Sequence, residues 1–390
     1  MTQIVKIGNI STQIRGVSYS KSDAVSNMQE GYLPVLRANN IQEQGLILED
    51  FVYVPESKIS KKQRILAGDV IIAASSGSIS LVGKAASAKE DINAGFGAFC
   101  KILRPNTELV DPRYFANYFQ TQQYRQIISN LAAGANINNL KNEHLDDLEI
   151  LLPPLAEQRR IASILDQADE LRQKRQQAIE KLDQLLQATF IDMFGDPVSN
   201  PKVWEKVEVG KVTTCIVPGR DKPKSFTGSI PWITTDDLNS LGYTSQSKKR
   251  MGLTQTEIDD VRAKVIPFQS VVMSCVGNLG ITSIANNEFV MNQQLHSYQC
   301  LEQITPEFLM FCLPFEKNYM FSRATSTTLP YMNKSVCNSI PVILPPIDLQ
   351  EKWSKILLNI EEHKQSLYKQ LDMQNQLFSA LQNQAFNGTL

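Results

Sequence analysis

Histidine is almost absent from this chain. Three residues, His144, His296 and His363, serve 390 positions, so general-base catalysis by histidine has few candidates. Cysteine is sparse and poorly patterned. Cys100, Cys215, Cys275, Cys300, Cys312 and Cys337 form no CxxC pair, and five of the six fall in the second half. A disulfide framework needs evenly matched, closely spaced cysteines in a small secreted chain, so free, buried thiols are expected. His296 and Cys300 are four apart and would share a helix face, but two ligands do not make a zinc site; no metal site is expected. No stretch approaches the roughly 20 apolar residues that span a bilayer. The start, Met1-Thr2-Gln3-Ile4, lacks the basic and apolar regions of a signal peptide. A cytoplasmic protein with no membrane partner is the expectation.

Strong catalytic motifs are missing as well. There is no Gly-x-Ser-x-Gly, no HExxH and no defensible Ser/His/Asp arrangement. The segment Gly77–Ala85 is one residue too long between its glycines for a P-loop, and Ala85 stands where Ser or Thr would hold magnesium. It reads as strand–turn–strand. Gly95-Phe96-Gly97 resembles a fragment of an S-adenosylmethionine loop. Yet the Asn/Asp-Pro-Pro-Tyr/Phe motif that would hold a target amine occurs nowhere. No catalytic residue is therefore assigned, and a binding protein is favoured over an enzyme.

A one-sided charge is also lacking. The net charge is −1, which does not advertise nucleic-acid binding. Residues 1–150 carry 15 basic and 15 acidic side chains, and residues 197–342 carry 14 and 12. Phosphate contacts need basic side chains on one face, not a basic protein. Local clusters exist: Lys58, Lys61, Lys62 and Arg64; then Arg220, Lys222 and Lys224; then Lys248, Lys249 and Arg250. Ordinary solvated loops would look the same.

What is present is a duplication. Leu152-Pro153-Pro154-Leu155 recurs 192 positions later as Leu344-Pro345-Pro346-Ile347. The match continues without a gap: Gln158 faces Gln350, Ile164-Leu165 faces Ile356-Leu357, and Phe194 faces Phe386. Solenoid repeats have periods of about 20–50 residues, so this is a tandem copy of a whole unit, a globular part followed by a helix. After the first proline pair, apolar residues recur at spacings of three and four from Ile161 to Met193, a bundle or coiled-coil stripe. Pro153-Pro154 block entry of a helix from upstream and Gly195-Asp196-Pro197 end it. At 1.5 Å per residue, ~38 helical residues give a rod of about 55 Å. The second helix is predicted from Asp348, with Glu351 as a capping box, to about Phe386. Its stripe is interrupted by His363 and Gln374.

The globular parts are predicted to be mixed. Val70–Ala74 and Val271–Ser274 read as buried strands, and Asp111–Gln126 and Pro306–Tyr319 as helices opened by prolines. The boundaries are residues 1–152 for the first domain, 153–196 for a central helical spacer, 197–344 for the second domain and 345–390 for a C-terminal helical spacer. The fold class is α+β: two mixed α/β domains in tandem, each followed by a long helix. The two helices are expected to pair as an antiparallel coiled coil with internal pseudo-two-fold symmetry. The residues expected at that pairing or at a partner surface are Ile161, Leu165, Leu171, Ile179, Leu182, Leu186, Trp353, Ile356, Ile360, Leu367, Leu371 and Phe378.

Pro153-Pro154-Leu155-x-x-Gln158-x-x-Ile161 before a long helix resembles the specificity subunit of type I restriction–modification systems. Gly134-x-Asn136-Ile137-x-x-Leu140, Leu33-Pro34-x-Leu36-Arg37-x-x-Asn40-Ile41 and Arg15-Gly16-Val17-x-Tyr19 resemble it too, and the resemblance covers the chain in the family's order. The second copy departs from the pattern: Ala156-Glu157 becomes Asp348-Leu349, and Arg159-Arg160 becomes Glu351-Lys352.

The resemblance implies a non-catalytic reader of a bipartite double-stranded DNA target, one half-site per domain. The helices act as a ruler and dock methylation subunits, two of them by the symmetry. It further implies that those partners bring S-adenosylmethionine and methylate adenine after base flipping. Restriction subunits would bring ATP and magnesium; this chain itself would hold no cofactor. A 55 Å rod corresponds to at most about 16 base pairs between domain centres.

Bases are read by bidentate side chains, Arg or Lys for guanine and Asn or Gln for adenine. The candidates in the first domain are Arg37, Asn39 and Asn40, then Ser75, Ser76 and Ser78, then Asn136 and Asn138. In the second they are Thr234, Thr235, Asp236, Asn278, Asn292, Gln293, Gln294 and Arg323. Each of these residue types also fills turns and caps. A methyltransferase or nuclease with degenerate motifs and a coiled-coil scaffold without a DNA role are the two rival readings. The part that repeats worst is expected to hold the sequence information.

Overall fold

In the computed structural model, residues 3–42, 45–75, 81–134, 139–219, 221–325 and 328–390 are described. The chain divides into two compact units. One is Met1–Gln176 with Gln370–Leu390, and the other is Gln177–Lys369. Each unit therefore holds one globular part and a portion of each long helix.

In the first unit a four-stranded antiparallel sheet runs in the order Ser11–Arg15, Cys100–Pro105, Val70–Ala73, Ala85–Ser87. Val70–Ala73 is buried on both faces, as its unbroken apolar run requires. A second sheet places Tyr32–Leu36 between Val52–Pro55, antiparallel, and Gly95–Phe96, parallel. The first and last strands, Gln3–Lys6 and Glu149–Leu152, pair in register from Gln3↔Leu152 to Lys6↔Glu149. That pairing delivers the chain directly into Pro153-Pro154.

The second unit repeats the scheme. Its main sheet is Thr213–Ile216, Leu295–Cys300, Val271–Ser274, Thr282–Ala285 and Gly242–Thr244. Its second sheet is Gly252–Leu253, Ile230–Ile233, Phe289–Met291 and Val265–Ile266. Glu205–Glu208 closes against Pro341–Leu344 just ahead of Pro345-Pro346.

The long helices span Leu155–Phe194 and Ile347–Asn387. In the first unit Ile161, Ala162 and Leu165 share one core with Phe378, Ala385 and Phe386, together with Tyr114, Phe115 and Tyr118 of the globular part. In the second unit Leu186, Phe190 and Phe194 share a core with Trp353 and Leu357, under Phe308 and Phe311. Phe190 stacks on Phe308 and meets Trp353 edge-on, with ring centroids 5.7 and 5.2 Å away.

Several expectations are corrected. The helix read over Asp111–Gln126 is two, Pro112–Tyr118 and Gln122–Gly134. Thr121 divides them: its hydroxyl donates to Tyr118 O at 2.7 Å and accepts from Tyr124 N. The helix read over Pro306–Tyr319 is helical only over Pro306–Cys312, then 3₁₀ over Leu313–Glu316, then helical over Lys317–Arg323. Pro314 has no amide to give the ladder, and Met310 O accepts the Thr282 hydroxyl instead. His296 and Cys300 lie on a strand, not a helix.

The second long helix begins at Ile347, so Asp348 sits in its first turn rather than at the cap. Of the stripe residues, Ile161, Leu165, Ile179, Leu186, Trp353 and Phe378 are buried. Leu182, Ile356, Ile360, Leu367 and Leu371 are half-buried. Leu171 is 57% exposed.

All six cysteines are free, four of them buried. Among the described residues no helix is long and apolar enough to cross a membrane.

Candidate nucleic-acid interface

In the first unit the strand Tyr32–Leu36 ends beside Gly95–Phe96, and Gly97 N donates to Leu36 O at 2.8 Å. Ala74 N and Ser75 N both donate to Phe99 O. These bonds gather three turns at one strand end: 37–40, 74–75 and 97–99. The first is a single 3₁₀ turn, Ala38–Asn40. Asn40, 1% exposed, holds it. Its Oδ1 accepts Arg37 N at 2.8 Å, and its Nδ2 donates to Ile47 O and Glu49 O. That amide is fully spent on the fold.

Arg37 and Asn39 face outward. Arg37 Nη2 donates to Asp50 O at 2.9 Å and Oδ2 at 3.2 Å, and Asn39 Nδ2 donates to the same Oδ2 at 3.0 Å. Tyr19 stands near, its phenol pushed up by burial while Arg37 pulls the other way. Ser75 is half-buried and bridges Asn139. Ser76, Ser78, Asn136 and Asn138 lie outside the described residues, as does Arg220. Phe99, 69% exposed, was not expected there. A lone aromatic between Ala98 and Cys100 gives no periodic signal.

In the second unit the same connections recur with other side chains. Asn292 N donates to Ile233 O, and Cys275 N donates to Gln294 O at 2.8 Å. The turns 234–237, 275–280 and 292–294 are thereby neighbours. Asp237, 3% exposed, takes the part of Asn40. It accepts Thr234 N and Oγ1, both at 2.8 Å, and Lys248 N at 2.7 Å. Thr234 is thus a capping residue. The Thr235 hydroxyl is buried with no partner among the described residues.

Asp236 is exposed, and Lys248 Nζ donates to its carbonyl. Asn292 and Gln294 bond each other, and Gln293 Nε2 donates to Gly219 O. Gln293 and Gln294 are exposed. Asn278 is exposed and accepts Lys317 Nζ at 3.2 Å. Arg323 is on the Lys317–Arg323 helix, its guanidinium 5.6 Å from the Tyr319 ring centroid. Among the described residues no hydrogen bond ties it to the three turns.

The basic clusters are partly neutralised. Lys58 pairs with Asp23 and Arg64 with Glu56, which leaves Lys61 and Lys62 exposed on a 3₁₀ turn. Near Lys222 and Lys224, the Glu257 carboxylate accepts from Ser225, Thr227 and Thr254, and these bonds hold its pKa down to about 2. It clasps the segment carrying the two lysines. Among the described residues no group of three or more His, Cys, Asp or Glu is placed to hold a metal.

The family model for the type I restriction modification DNA specificity domain matches twice, over residues 2–181 and 201–374. The specificity subunit of the StySPI enzyme from Salmonella potsdam is 41% identical over 260 residues, 66% of this chain. The match spans about half of that relative, 52% of its length. The EcoKI specificity subunit of Escherichia coli is 28% identical over 99% of this chain and 89% of its own. Among solved structures, the S subunit of a type I restriction–modification system from M. genitalium shares the fold. Its TM-score is 0.58 at 15% identity, over 99% of this chain and 96% of that one. Two matched regions, each holding the same strand-end cluster of turns, lead to one conclusion: this chain belongs to the type I restriction–modification specificity family.

Proposed function

We propose that this chain reads a split double-stranded DNA target, with domain 1–152 on one half-site and domain 197–344 on the other. The carrying observation is the repeated cluster of three turns, whose scaffold bonds recur while the exposed side chains differ. Arg37, Asn39 and Phe99 stand in one; Asp236, Gln293 and Gln294 stand in the other. A shared frame with changed outward chemistry suits two modules that read different sequences.

The helical segments 153–196 and 345–390 pair as an antiparallel coiled coil with pseudo-two-fold symmetry and set the unread gap. Support comes from each unit's core, where an early part of one helix meets a late part of the other. In this reading the same helices dock two methylation subunits, and restriction subunits join the assembly in the cytoplasm. S-adenosylmethionine, ATP and magnesium belong to those partners, and the chain supplies recognition without catalysis.

The test is enrichment from random DNA by the full chain assembled with its methylation subunits. A motif of two short half-sites at a fixed gap is expected, with affinity falling as salt rises. Enrichment of one continuous motif, or none, overturns the reading.

A further inference from the structure

Asp50 belongs to none of the motifs above, yet it organises the outward side chains of the first domain. Its φ is +52°, a left-handed conformation uncommon for a residue other than glycine and one that Asp and Asn tolerate best. That geometry turns its carboxylate onto the 37–40 turn. The side chain is 81% exposed, and it accepts from both Arg37 Nη2 and Asn39 Nδ2. Its carbonyl accepts Arg37 Nη2 as well. Arg37 is gripped at one corner only. Its Nε is buried and meets no acceptor among the described residues.

A carboxylate beside an arginine opposes contact with phosphate, since both carry negative charge. It also steadies the planar guanidinium, whose outer Nη1 hydrogens are left to donate to the O6 or N7 acceptor of guanine. A free carboxylate oxygen can accept the N4 amino group of cytosine. In the second domain the residues ahead of the corresponding strand are Lys248, Lys249 and Arg250, so the charge at that place is reversed. The scaffold amide or carboxylate beneath, Asn40 or Asp237, stays.

We propose that Asp50 is a specificity-determining positioning residue: it orients Arg37 and Asn39 as one array that reads a G·C pair in the half-site of the first domain. This rests on the DNA-reading function proposed above.

The experiment compares the enriched motif of wild type, Asp50→Asn, Asp50→Ala and Arg37→Ala, each as the full chain in its assembled methylation complex. Asp50→Asn keeps the size and the left-handed preference, so folding is preserved. The wild type is expected to require a G·C pair at one position. Asp50→Asn and Arg37→Ala should relax that same position by about 5–100-fold and leave the other half-site and the gap unchanged. An Asp50→Asn motif identical to wild type, or a uniform loss of affinity over all sequences, overturns the proposal while leaving DNA reading intact. Absence of any split motif with wild type overturns both.

Discussion

Gln158 and Gln350 perform the same task at two places 192 residues apart. Each is buried. Gln158 Nε2 donates to Pro153 O at 2.8 Å and Leu109 O at 3.3 Å, and its Oε1 accepts Asp111 N at 2.8 Å. Gln350 repeats this with Pro345 O, Gln303 O and Thr305 N. Asp111 and Thr305 are the N-cap residues of Pro112–Tyr118 and Pro306–Cys312. The glutamine therefore ties the first turn of the long helix to the cap of a short domain helix. Alanine in its place leaves one donor and two acceptors unpaired in the interior, at about 1–3 kcal/mol for each unsatisfied group and partly recovered by water. Gln158→Ala is expected to destabilise the full chain by about 2–4 kcal/mol, read as a lowered unfolding midpoint. Gln158→Glu should cost more, because its carboxylate would meet two carbonyl oxygens. The two glutamines share no partner, so Gln158→Ala and Gln350→Ala should add within about 0.5 kcal/mol. A loss below that size for Gln158→Ala would remove this account of the motif. The duplicated glutamine was legible in the sequence. Its three partners were not, since they lie 5 to 49 residues away.

The long helices are held at their ends by aromatic cores and in between by polar links. From 166 to 178 and from 358 to 377 no residue is fully buried. In the first unit Arg172 Nε donates to Asn375 Oδ1 at 2.7 Å, and its guanidinium lies 4.4 Å from the Phe378 ring centroid. In the second, Lys364 Nζ stands 2.7 Å from Asp183 and 2.6 Å from Glu361. Its side chain is 12% exposed and that of Glu361 14%, so removing the cation strands a poorly solvated carboxylate. Lys364→Ala is expected to lower stability by about 2 kcal/mol, while Lys364→Met combined with Glu361→Leu should recover most of it, since apolar replacement of a buried pair is often neutral. Thermal melts of the three proteins check this; a double variant as weak as the single one would contradict it. Helix existence and ends were readable from the 3.6-residue spacing and the flanking prolines. Which stripe residues become buried was not. Leu171 fits the pattern and stands exposed, while Phe194, at the very end, is fully buried. The domain cores, not the stripe, decide it.

For the molecule as a whole, the proposed ruler makes a quantitative demand. Seven residues inserted into each long helix, within 166–178 and 358–377, add two turns and about 10 Å to each. The unread gap should lengthen by about three base pairs, at about 34 Å per ten, and both half-sites should stay as they were. Motif enrichment with the inserted chain in its methylation complex reads this directly. A changed half-site with an unchanged gap would contradict it. The sequence alone determined the duplication, the tandem order of domain and helix, and the family. Those features are linear: a 192-residue period, proline pairs and a helical repeat are properties of residue order alone. Tertiary structure alone decided what each polar side chain does. Asn40 and Thr234 are read equally well as base contacts or as turn residues, until partners at 47–49 for Asn40 and at Asp237 for Thr234 place them inside the fold. Asp50 gained its place over Arg37 the same way. A polar group's role is set by whichever donors or acceptors meet it across the chain, and that information is not local.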